Sequence, residues 1–183
     1  FSPLPSHLNL ISLMNAVDMS KDVEGRRVLQ GSSNHRVAPP TALACLALVE
    51  EACQNLEGKE AVVVGRSDVV GKPVALLLID KRATVTVCNS KTKNLEERVR
   101  QADILIATAG RPNLIKGAWI KTGAIVIDVG ENTVNGKPVG DVEFEAAKEK
   151  AGYLTPVPGG VGPVTNVMLV KNLLSLYRLK EQT

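Results

Sequence analysis

The stretch VVVGRSDVVGKPVALLL, residues 62–78, decides the fold because it reads as a strand, a glycine-bearing turn and a helix in direct succession. Gly65 ends the strand, Gly71 permits close approach of strand and helix, and Pro73 falls in the first helical turn, where a missing N–H is tolerated. Such a helix N-terminus offers free N–H groups and a partial positive charge, which suit a pyrophosphate. Ser67 stands where the common G-x-G-x-x-G pattern has its second glycine, so a turn that binds nothing stays open as an alternative.

Other segments repeat this alternation along the chain. Short, β-branched and almost continuously apolar runs are typical of strands that helices cover on both faces. Because helix-like segments separate them, the pattern predicts an α/β fold with a Rossmann-like, doubly wound parallel sheet. Ser6 and Thr41 are predicted N-caps, and Asn135-Gly136 predicts a hairpin turn. Strands are expected at 60–65, 83–88, 103–110, 124–130 and 153–158, a hairpin at 131–140, and helices at 6–17, 41–56, 71–81, 94–102, 117–122, 141–152 and 161–183.

Composition excludes several classes of protein. The net charge is only +3 and the basic residues are spread along the chain, which argues against a nucleic-acid surface. No apolar run approaches the roughly 18 residues of a membrane span. The three cysteines, Cys45, Cys53 and Cys88, lack metal-ligand spacing, so we predict no metal site and a reducing compartment. That compartment is expected to be the cytoplasm, with an organelle matrix left open because the chain begins at Phe1 and a targeting segment would precede it.

The end of the second strand predicts which dinucleotide binds. NAD-specific folds place an acidic residue about 20 positions after the glycine turn, where it accepts a hydrogen bond from the ribose 2′-hydroxyl. Here the segment TVCNSKTKN, residues 86–94, contains no acid. Ser90 and Arg66 offer a hydroxyl and a cation, which suit a 2′-phosphate, whereas Lys91 and Lys93 are each interpreted as solvated surface charges. NADP is therefore favoured over NAD.

Five long motifs follow one another with the spacing of a known family. They are VVVGRSDVVGKPVA, TVTVCNSKT, ADILIATAGRPNLIKGAWIKTGAIVIDVG, VGDVEFEAA and TPVPGGVGPVT. Together they resemble the methylenetetrahydrofolate dehydrogenase/methenyltetrahydrofolate cyclohydrolase family, closely over residues 57–174 and more loosely over 1–56. The resemblance implies a multifunctional enzyme of one-carbon metabolism, an oxidoreductase and hydrolase. It would oxidise 5,10-methylenetetrahydrofolate with NADP, hydrolyse the methenyl product, use a small-molecule folate as substrate and form a homodimer.

The resemblance also implies a set of site residues and a domain division. The proline- and glycine-rich loop would lie where nicotinamide and folate meet, because bare glycines let a flat ring approach the backbone. By motif match, the cofactor residues are Gly65, Arg66, Ser67, Ser90, Val129, Gly130, Glu131 and Thr165, and the folate residues are Glu24, Pro158, Gly159, Gly160, Val161, Gly162 and Pro163. The expected division is a remnant of the catalytic domain (1–40), a connecting helix (41–56), the NADP-binding domain (57–160), and a C-terminal helix packing back toward the catalytic domain (161–183).

Departures from the family concentrate on the folate side. The family's Tyr-x-x-x-Lys pair does not occur, so no catalytic residue is assigned, and this chain alone is expected to be inactive. Phe1 and Ser2 stand at folate-contacting positions, and Glu24 replaces an aspartate expected to hold the pterin. His7 and His35 are interpreted as surface residues without a catalytic role. These departures leave an alternative open: a non-catalytic paralogue that keeps a dinucleotide-binding domain as a binding or structural module.

Overall fold

One parallel sheet organises the described part of the chain. The structure is a computed structural model that describes residues 5, 7–9, 12–13, 16–25 and 37–181. After a 3₁₀ turn at Met19–Lys21, its elements are α1 (Pro40–Ala52), β1 (Glu60–Val64), α2 (Gly71–Asp80), β2 (Thr84–Cys88), α3 (Leu95–Gln101), β3 (Ile104–Ala107), a 3₁₀ turn (Gly117–Trp119), β4 (Ile125–Asp128), β5 (Asn132–Val134), β6 (Lys137–Val139), α4 (Phe144–Lys148), β7 (Tyr153–Leu154) and α5 (Val161–Glu181).

The strand order creates a crevice at the carboxyl ends of the strands. The order is β2-β1-β3-β4-β7, and every neighbouring pair in it is parallel. The chain crosses from β1 to β2 on one side and then returns to β3 on the other, so the direction of winding changes between β1 and β3. In open α/β sheets, ligands bind outside the carboxyl ends of the strands at such a switch point. The predicted doubly wound α/β class is confirmed.

The register brings the carboxyl ends of four strands level. Val64 lies opposite both Cys88 and Ala107, and Ala107 lies opposite Asp128. Every loop that follows one of these residues therefore emerges at the same edge. This common edge brings together residues that are up to 66 positions apart in the sequence, Gly65 and Glu131 among them (131 − 65 = 66).

Alternating side chains divide the core into two layers. Val63, Ile106 and Ile127 face one layer, where they pack with α1 and α2 side chains such as Val49 and Leu78. The opposite faces of the same strands pack against the other layer, which includes residues of α3 and α4. Because both faces of the central strands are covered, their sequences are nearly continuous apolar runs, as the sequence predicted.

Local turn chemistry accounts for the boundaries that differ from prediction. Thr41 is not an N-cap: α1 begins one residue earlier, at Pro40, with no side-chain cap bond, because two consecutive prolines preset the helical entry. The last strand ends at Leu154 rather than 158, since Pro156 and Pro158 lack the N–H that a ladder needs. The hairpin is confirmed: Asn135 and Gly136 have φ of 51° and 76°, as a two-residue hairpin turn requires.

Two predicted helices are shorter than expected. The segment 117–122 forms only the 3₁₀ turn Gly117–Trp119, and the segment 141–152 forms only the five-residue α4. The beginning of the second segment is unavailable for a helix because Asp141 and Val142 use their N–H groups on a distant carboxylate. Ser6, His35, Phe1, Ser2 and much of the predicted helix 6–17 lie outside the described residues. Within the described residues, no helix is both long enough and apolar enough to cross a membrane.

Candidate functional site

The turn between β1 and α2 is closed by Ser67. Its Oγ accepts the N–H groups of Val70 and Gly71 at 3.2 and 3.3 Å, and its carbonyl accepts that of Lys72 at 3.0 Å. The expectation that the first N–H groups of this helix are free is therefore wrong, because Ser67 itself caps them. A phosphate at this turn would meet the positive end of the helix dipole and the exposed residues Arg66 and Ser67.

Two glycines make the turn possible by close backbone contact. A Cβ at Gly71 would lie 2.4 Å from the carbonyl oxygen of Gly65, so the helix begins in close contact with the residue that directly follows the strand, as predicted for Gly71. Gly65 has φ +130°, and a Cβ there would lie 2.2 Å from the carbonyl oxygen of Thr108. The loops after β1 and β3 thus touch backbone to backbone at the switch point of the sheet. Only glycine satisfies both the conformation and the contact.

Arg66 and Ser90 lie at the neighbouring ends of β1 and β2. Arg66 follows β1 by two residues, Ser90 follows β2 by two residues, and both are exposed. The Ser90 turn is ordered by its own side chains, because Asn89 donates its N–H to Thr92 Oγ1 at 2.8 Å and accepts that of Lys91 on Oδ1 at 2.9 Å. The pair expected to meet a 2′-phosphate therefore lies on the β2 side of the crevice.

Asp141 holds the loop that follows β3. It is fully buried, and its carboxylate accepts the N–H groups of Ala109, Gly110 and Arg111 at 2.6, 2.9 and 2.8 Å. Its Oδ1 also accepts Nδ2 of Asn132 at 2.9 Å. One carboxylate therefore ties the loop after β3 to the start of the hairpin. Because four donors converge on this one buried side chain, both segments are held firmly.

Asp128 holds the loop after β4 in the same manner. This residue is 3% exposed, and its carboxylate accepts the N–H groups of Gly130, Asp141 and Val142 at 2.9, 3.0 and 2.9 Å. Burial raises the pKa of the Asp128 carboxyl above its ordinary value, against the lowering effect of those three N–H donors, and the neighbouring Asp141 also raises it. The two aspartates act in series: Asp128 positions the backbone of Asp141, whose carboxylate positions the loop after β3.

The glycines beside these carboxylates leave them the room they need. A Cβ at Gly140 would lie 2.0 Å from Oδ2 of Asp128, and a Cβ at Gly130 would lie 2.4 Å from Oδ1 of Asp141. Neither glycine has a positive φ, so the requirement here is space rather than backbone conformation. The predicted cofactor residue Gly130 therefore serves the carboxylate network directly.

A cleft of about 560 Å³ opens beside this network. It runs from the loop after β4 to the first turn of α5. The structure thereby brings together every predicted folate residue of the proline-glycine loop and four of the predicted cofactor residues. The described residues that line it are Thr41, Asp128, Val129, Gly130, Glu131, Pro138, Pro156, Val157, Pro158, Gly159, Gly160, Val161, Gly162, Pro163, Thr165 and Asn166.

The glycines of the proline-glycine loop differ in the space around the position that a Cβ would occupy. Gly159, with φ +99°, and Gly162 have no other atoms within 4 Å of an added Cβ, so they leave open space beside the backbone. A Cβ at Gly160 would instead lie 2.5 Å from the carbonyl oxygen of Pro156. Gly160 is therefore required by the path of the loop itself, while Gly159 and Gly162 keep a flat surface available.

Other predicted site residues lie elsewhere or are already bonded. Glu24 is half-buried on the segment whose Val23 carbonyl accepts Nδ2 of Asn172, and it is not among the described residues that line the cleft. Thr165 lines the cleft, but its hydroxyl donates to the Val161 carbonyl at 3.0 Å. Among the described residues, no group of three or more His, Cys, Asp or Glu side chains is placed to hold a metal ion.

Asp128 and Asp141 are the residues that sequence reasoning missed. Both belong to motifs that were recognised, AIVIDVG and VGDVEFEAA, but no role was assigned to either. The available signal was an acid that directly ends a buried apolar strand, and a second acid that follows a glycine. Neither signal reveals that Asp141 lies 30 to 32 residues from the N–H groups it binds.

Comparison with known proteins identifies the domain. Residues 39–181 match the family described as "Tetrahydrofolate dehydrogenase/cyclohydrolase, NAD(P)-binding domain". The chain is 51% identical over 176 residues to the bifunctional protein FolD of Halothermothrix orenii, a match that covers 93% of this chain and 62% of the relative. It is also 51% identical over 185 residues to the mitochondrial C-1-tetrahydrofolate synthase of Saccharomyces cerevisiae, covering 94% of this chain and 19% of that protein.

Solved structures agree with the sequence relatives. The N5,N10-methylenetetrahydrofolate dehydrogenase-cyclohydrolase (FolD) of Trypanosoma brucei, complexed with NADP cofactor and an inhibitor, superposes with a TM-score of 0.91 at 40% identity. That match covers 99% of this chain and 66% of the trypanosomal chain. FolD of Campylobacter jejuni superposes with a TM-score of 0.89 at 41% identity, with the same coverage of both chains. The chain thus spans about 62–66% of the length of these FolD relatives.

Proposed function

Because this chain belongs to the tetrahydrofolate dehydrogenase/cyclohydrolase family, we propose that it is the NADP-binding part of a bifunctional folate enzyme. The enzyme oxidises 5,10-methylenetetrahydrofolate and hydrolyses 5,10-methenyltetrahydrofolate to 10-formyltetrahydrofolate. The observation that carries this proposal is the common edge itself, where the glycine turn, the Arg66–Ser90 side and the proline-glycine cleft line up along the level strand ends. The alternative of a non-catalytic paralogue is not favoured, since the relatives named above are folate enzymes.

From the order of the strands we propose a place for each part of NADP. A pyrophosphate lies at the switch point, over Gly65 and the positive end of the α2 dipole. The adenosine half lies toward β2, where Arg66 and Ser90 meet the 2′-phosphate. The nicotinamide half then extends over the ends of β3 and β4, toward Val129 and the proline-glycine cleft. When bound, the cofactor supplies the acceptor for the hydride that leaves the folate methylene carbon.

The residues around the cleft orient this reaction. Asp141 and Asp128 fix the backbone of the loops on which the nicotinamide half rests. The open faces of Gly159 and Gly162 let a flat ring lie against the main chain, opposite the folate that the loop Pro158–Pro163 helps to hold. Holding two reacting groups at contact distance supplies up to about 7–11 kcal/mol of a barrier, so positioning alone is a large contribution.

We predict that Arg66→Ala weakens NADP binding about tenfold or more and leaves NAD binding nearly unchanged. A hydrogen bond to a charged group contributes about 1.5–3 kcal/mol, and only NADP carries the 2′-phosphate. Calorimetric titration of the purified chain with each nucleotide measures the effect. Arg82→Ala, which removes an exposed arginine paired with Glu57, is a matched control and should alter neither affinity. Equal losses for both nucleotides in Arg66→Ala would contradict the assignment of the 2′-phosphate.

The catalytic proposal is tested with a chimera. We expect that joining this chain to the part of the Halothermothrix orenii relative that it does not match yields NADP-dependent oxidation of methylenetetrahydrofolate. The appearance of reduced nicotinamide, followed by its absorbance, reports the turnover. A folded chimera that binds NADP and remains inert would favour the non-catalytic paralogue. Omission of NADP is the control, because no other hydride acceptor is present.

The C-terminal helix carries an exposed apolar face that supports the proposed domain division. Val167, Val170, Leu173 and Tyr177 are each more than half exposed, at 57, 54, 55 and 59%. They recur at helical spacing along α5, whose opposite side packs on α1. We propose that this face packs against the catalytic domain, and that the complete enzyme is a homodimer of the cytoplasm or an organelle matrix.

A further inference from the structure

The cleft beside the Asp128–Asp141 network carries one exposed negative charge. Of the described residues that line it, only Asp128 and Glu131 are ionisable. Asp128 is buried and its two oxygens already accept three backbone N–H groups. Glu131 is exposed, so its carboxylate is the charge that faces the open volume among these lining residues. Since no described lining residue is basic, the charged side chains that line the cleft are acidic.

The backbone on both sides of Glu131 is fixed. On one side, Gly130 donates its N–H to Oδ1 of Asp128 at 2.9 Å, and on the other, Asn132 donates Nδ2 to Oδ1 of Asp141 at 2.9 Å. A Cβ at Gly130 would overlap Asp141, so this segment has little freedom to move. Glu131 therefore extends from a rigid backbone, so its carboxylate stays within side-chain reach of the cleft.

The strand order places the nicotinamide end of a dinucleotide over this support. The adenosine half occupies the β2 side of the switch point, as argued above from Arg66 and Ser90, so the other half must extend over β3 and β4. Glu131 follows Asp128, the last residue of β4, by three positions. The reactive ring and the Glu131 carboxylate thus share the cleft.

We propose that Glu131 is a specificity-determining residue that makes the cleft select the oxidised over the reduced form of NADP. This inference rests on the proposed function. The oxidised nicotinamide ring carries a positive charge, whereas the dihydronicotinamide ring is neutral, and the two forms otherwise have nearly the same shape. A carboxylate beside the ring therefore attracts only the oxidised form. The binding difference favours loading of the oxidant and release of the reduced product, and it leaves the equilibrium of the folate reaction itself unchanged.

The test compares both redox forms on one series of variants of the chain. Glu131→Gln removes the charge with almost no change in shape, and Glu145→Gln removes an equal charge from the exposed first turn of α4. We expect Glu131→Gln to weaken NADP⁺ binding about three- to tenfold, as for a partly screened pair, and to leave NADPH binding within about twofold. Glu145→Gln should change neither. The Glu131→Gln effect should shrink as salt is raised, because screening weakens the attraction.

A second variant keeps the inference falsifiable if Glu131→Gln disturbs the loop. Glu131→Lys should reverse the preference, so that NADPH binds more tightly than NADP⁺ relative to the unaltered chain. The role of Glu131 would be overturned if a variant changed the affinities for NADP⁺ and NADPH equally. It would also be overturned if neither Glu131→Gln nor Glu131→Lys changed either affinity. Both results leave the proposed function standing. Failure of the unaltered chain to bind either nucleotide would overturn both.

Discussion

Replacing Gly65 by alanine is expected to abolish useful dinucleotide binding, with a loss of affinity for NADP of at least about a hundredfold. The added methyl group would lie 2.2 Å from the Thr108 carbonyl oxygen, and φ at this position is +130°. The two atoms nearest to the added methyl group are the carbonyl oxygen and carbonyl carbon of Thr108. Both belong to the backbone, so neither can rotate away as a side-chain atom would. The turn after β1 and the loop after β3 must separate, and the pyrophosphate is expected to lie over their junction.

The same substitution should also lower the free energy of unfolding. Left-handed backbone costs an alanine about 1–2 kcal/mol, and overpacking adds typically about 1–3 kcal/mol. Gly58→Ala is the matched control, since Gly58 also has a positive φ, +74°, but has no atom within 4 Å of an added Cβ. We expect the control to show only the conformational cost and unchanged NADP affinity. Urea unfolding measures the free energy of unfolding, and calorimetric titration measures the affinity for NADP. Unaltered affinity in Gly65→Ala would contradict the proposal that the pyrophosphate lies where the turn after β1 meets the loop after β3.

Replacing Asp141 by alanine is expected to cause the largest loss of stability, about 3 kcal/mol or more, because one buried carboxyl group satisfies four hydrogen-bond donors. The carboxylate accepts the N–H groups of Ala109, Gly110 and Arg111 and the side-chain amide of Asn132. Truncation would leave those donors without their acceptor. Because Asp141 is fully buried, water does not reach the site to replace it. Each unsatisfied buried donor costs about 1–3 kcal/mol before the loop relaxes, so the loops must rearrange.

Asp103→Ala is the control that shows whether removing an aspartate elsewhere in the sheet lowers stability as much as Asp141→Ala does. Asp103 also accepts a backbone N–H, that of Glu60 at 3.0 Å, and its pKa is lowered chiefly by the hydrogen bond from Lys121. It lies at the opposite edge of the sheet, and its side chain is 30% exposed. We expect Asp103→Ala to cost about 1 kcal/mol or less and to leave NADP affinity unchanged. Thermal unfolding measures the stability of both variants. Comparable losses of stability in Asp141→Ala and Asp103→Ala would contradict the proposal that Asp141 holds the two loops.

Most of the fold could be predicted from local pattern. The strand at 60–64, the turn at Gly65–Gly71 and the helix that follows are encoded by β-branched residues, glycine and proline in direct succession. The hairpin turn at Asn135-Gly136 is equally local, because two residues with positive φ suffice to make it. Gly65, Arg66, Ser67 and Ser90 were predicted as site residues from the family resemblance, with the cation of Arg66 and the hydroxyl of Ser90 as further reasons for a 2′-phosphate.

The tertiary structure decided what local pattern does not encode. Gly65 reads as a turn glycine in the sequence, but its strongest constraint is the Thr108 carbonyl, 43 residues away (108 − 65 = 43). Ser67 reads as a departure from a glycine pattern, but it caps the helix it precedes. Asp128 and Asp141 read as ordinary polar residues, and only the register of β3 and β4 places them where two loops converge.

The sequence by itself therefore determined the class of fold and the nucleotide that suits it. These depend on propensity, periodicity and residue type, which act over a few neighbouring residues. Only the tertiary structure decided which residues hold the loops at the carboxyl ends of the strands in shape. It also shows that Glu131, which the resemblance had assigned to the cofactor, is exposed in the lining of the cleft. A buried carboxylate and the donors it satisfies are brought together by the crossing of strands, and separations of 30 to 32 residues between Asp141 and its loop leave no periodic trace in the sequence.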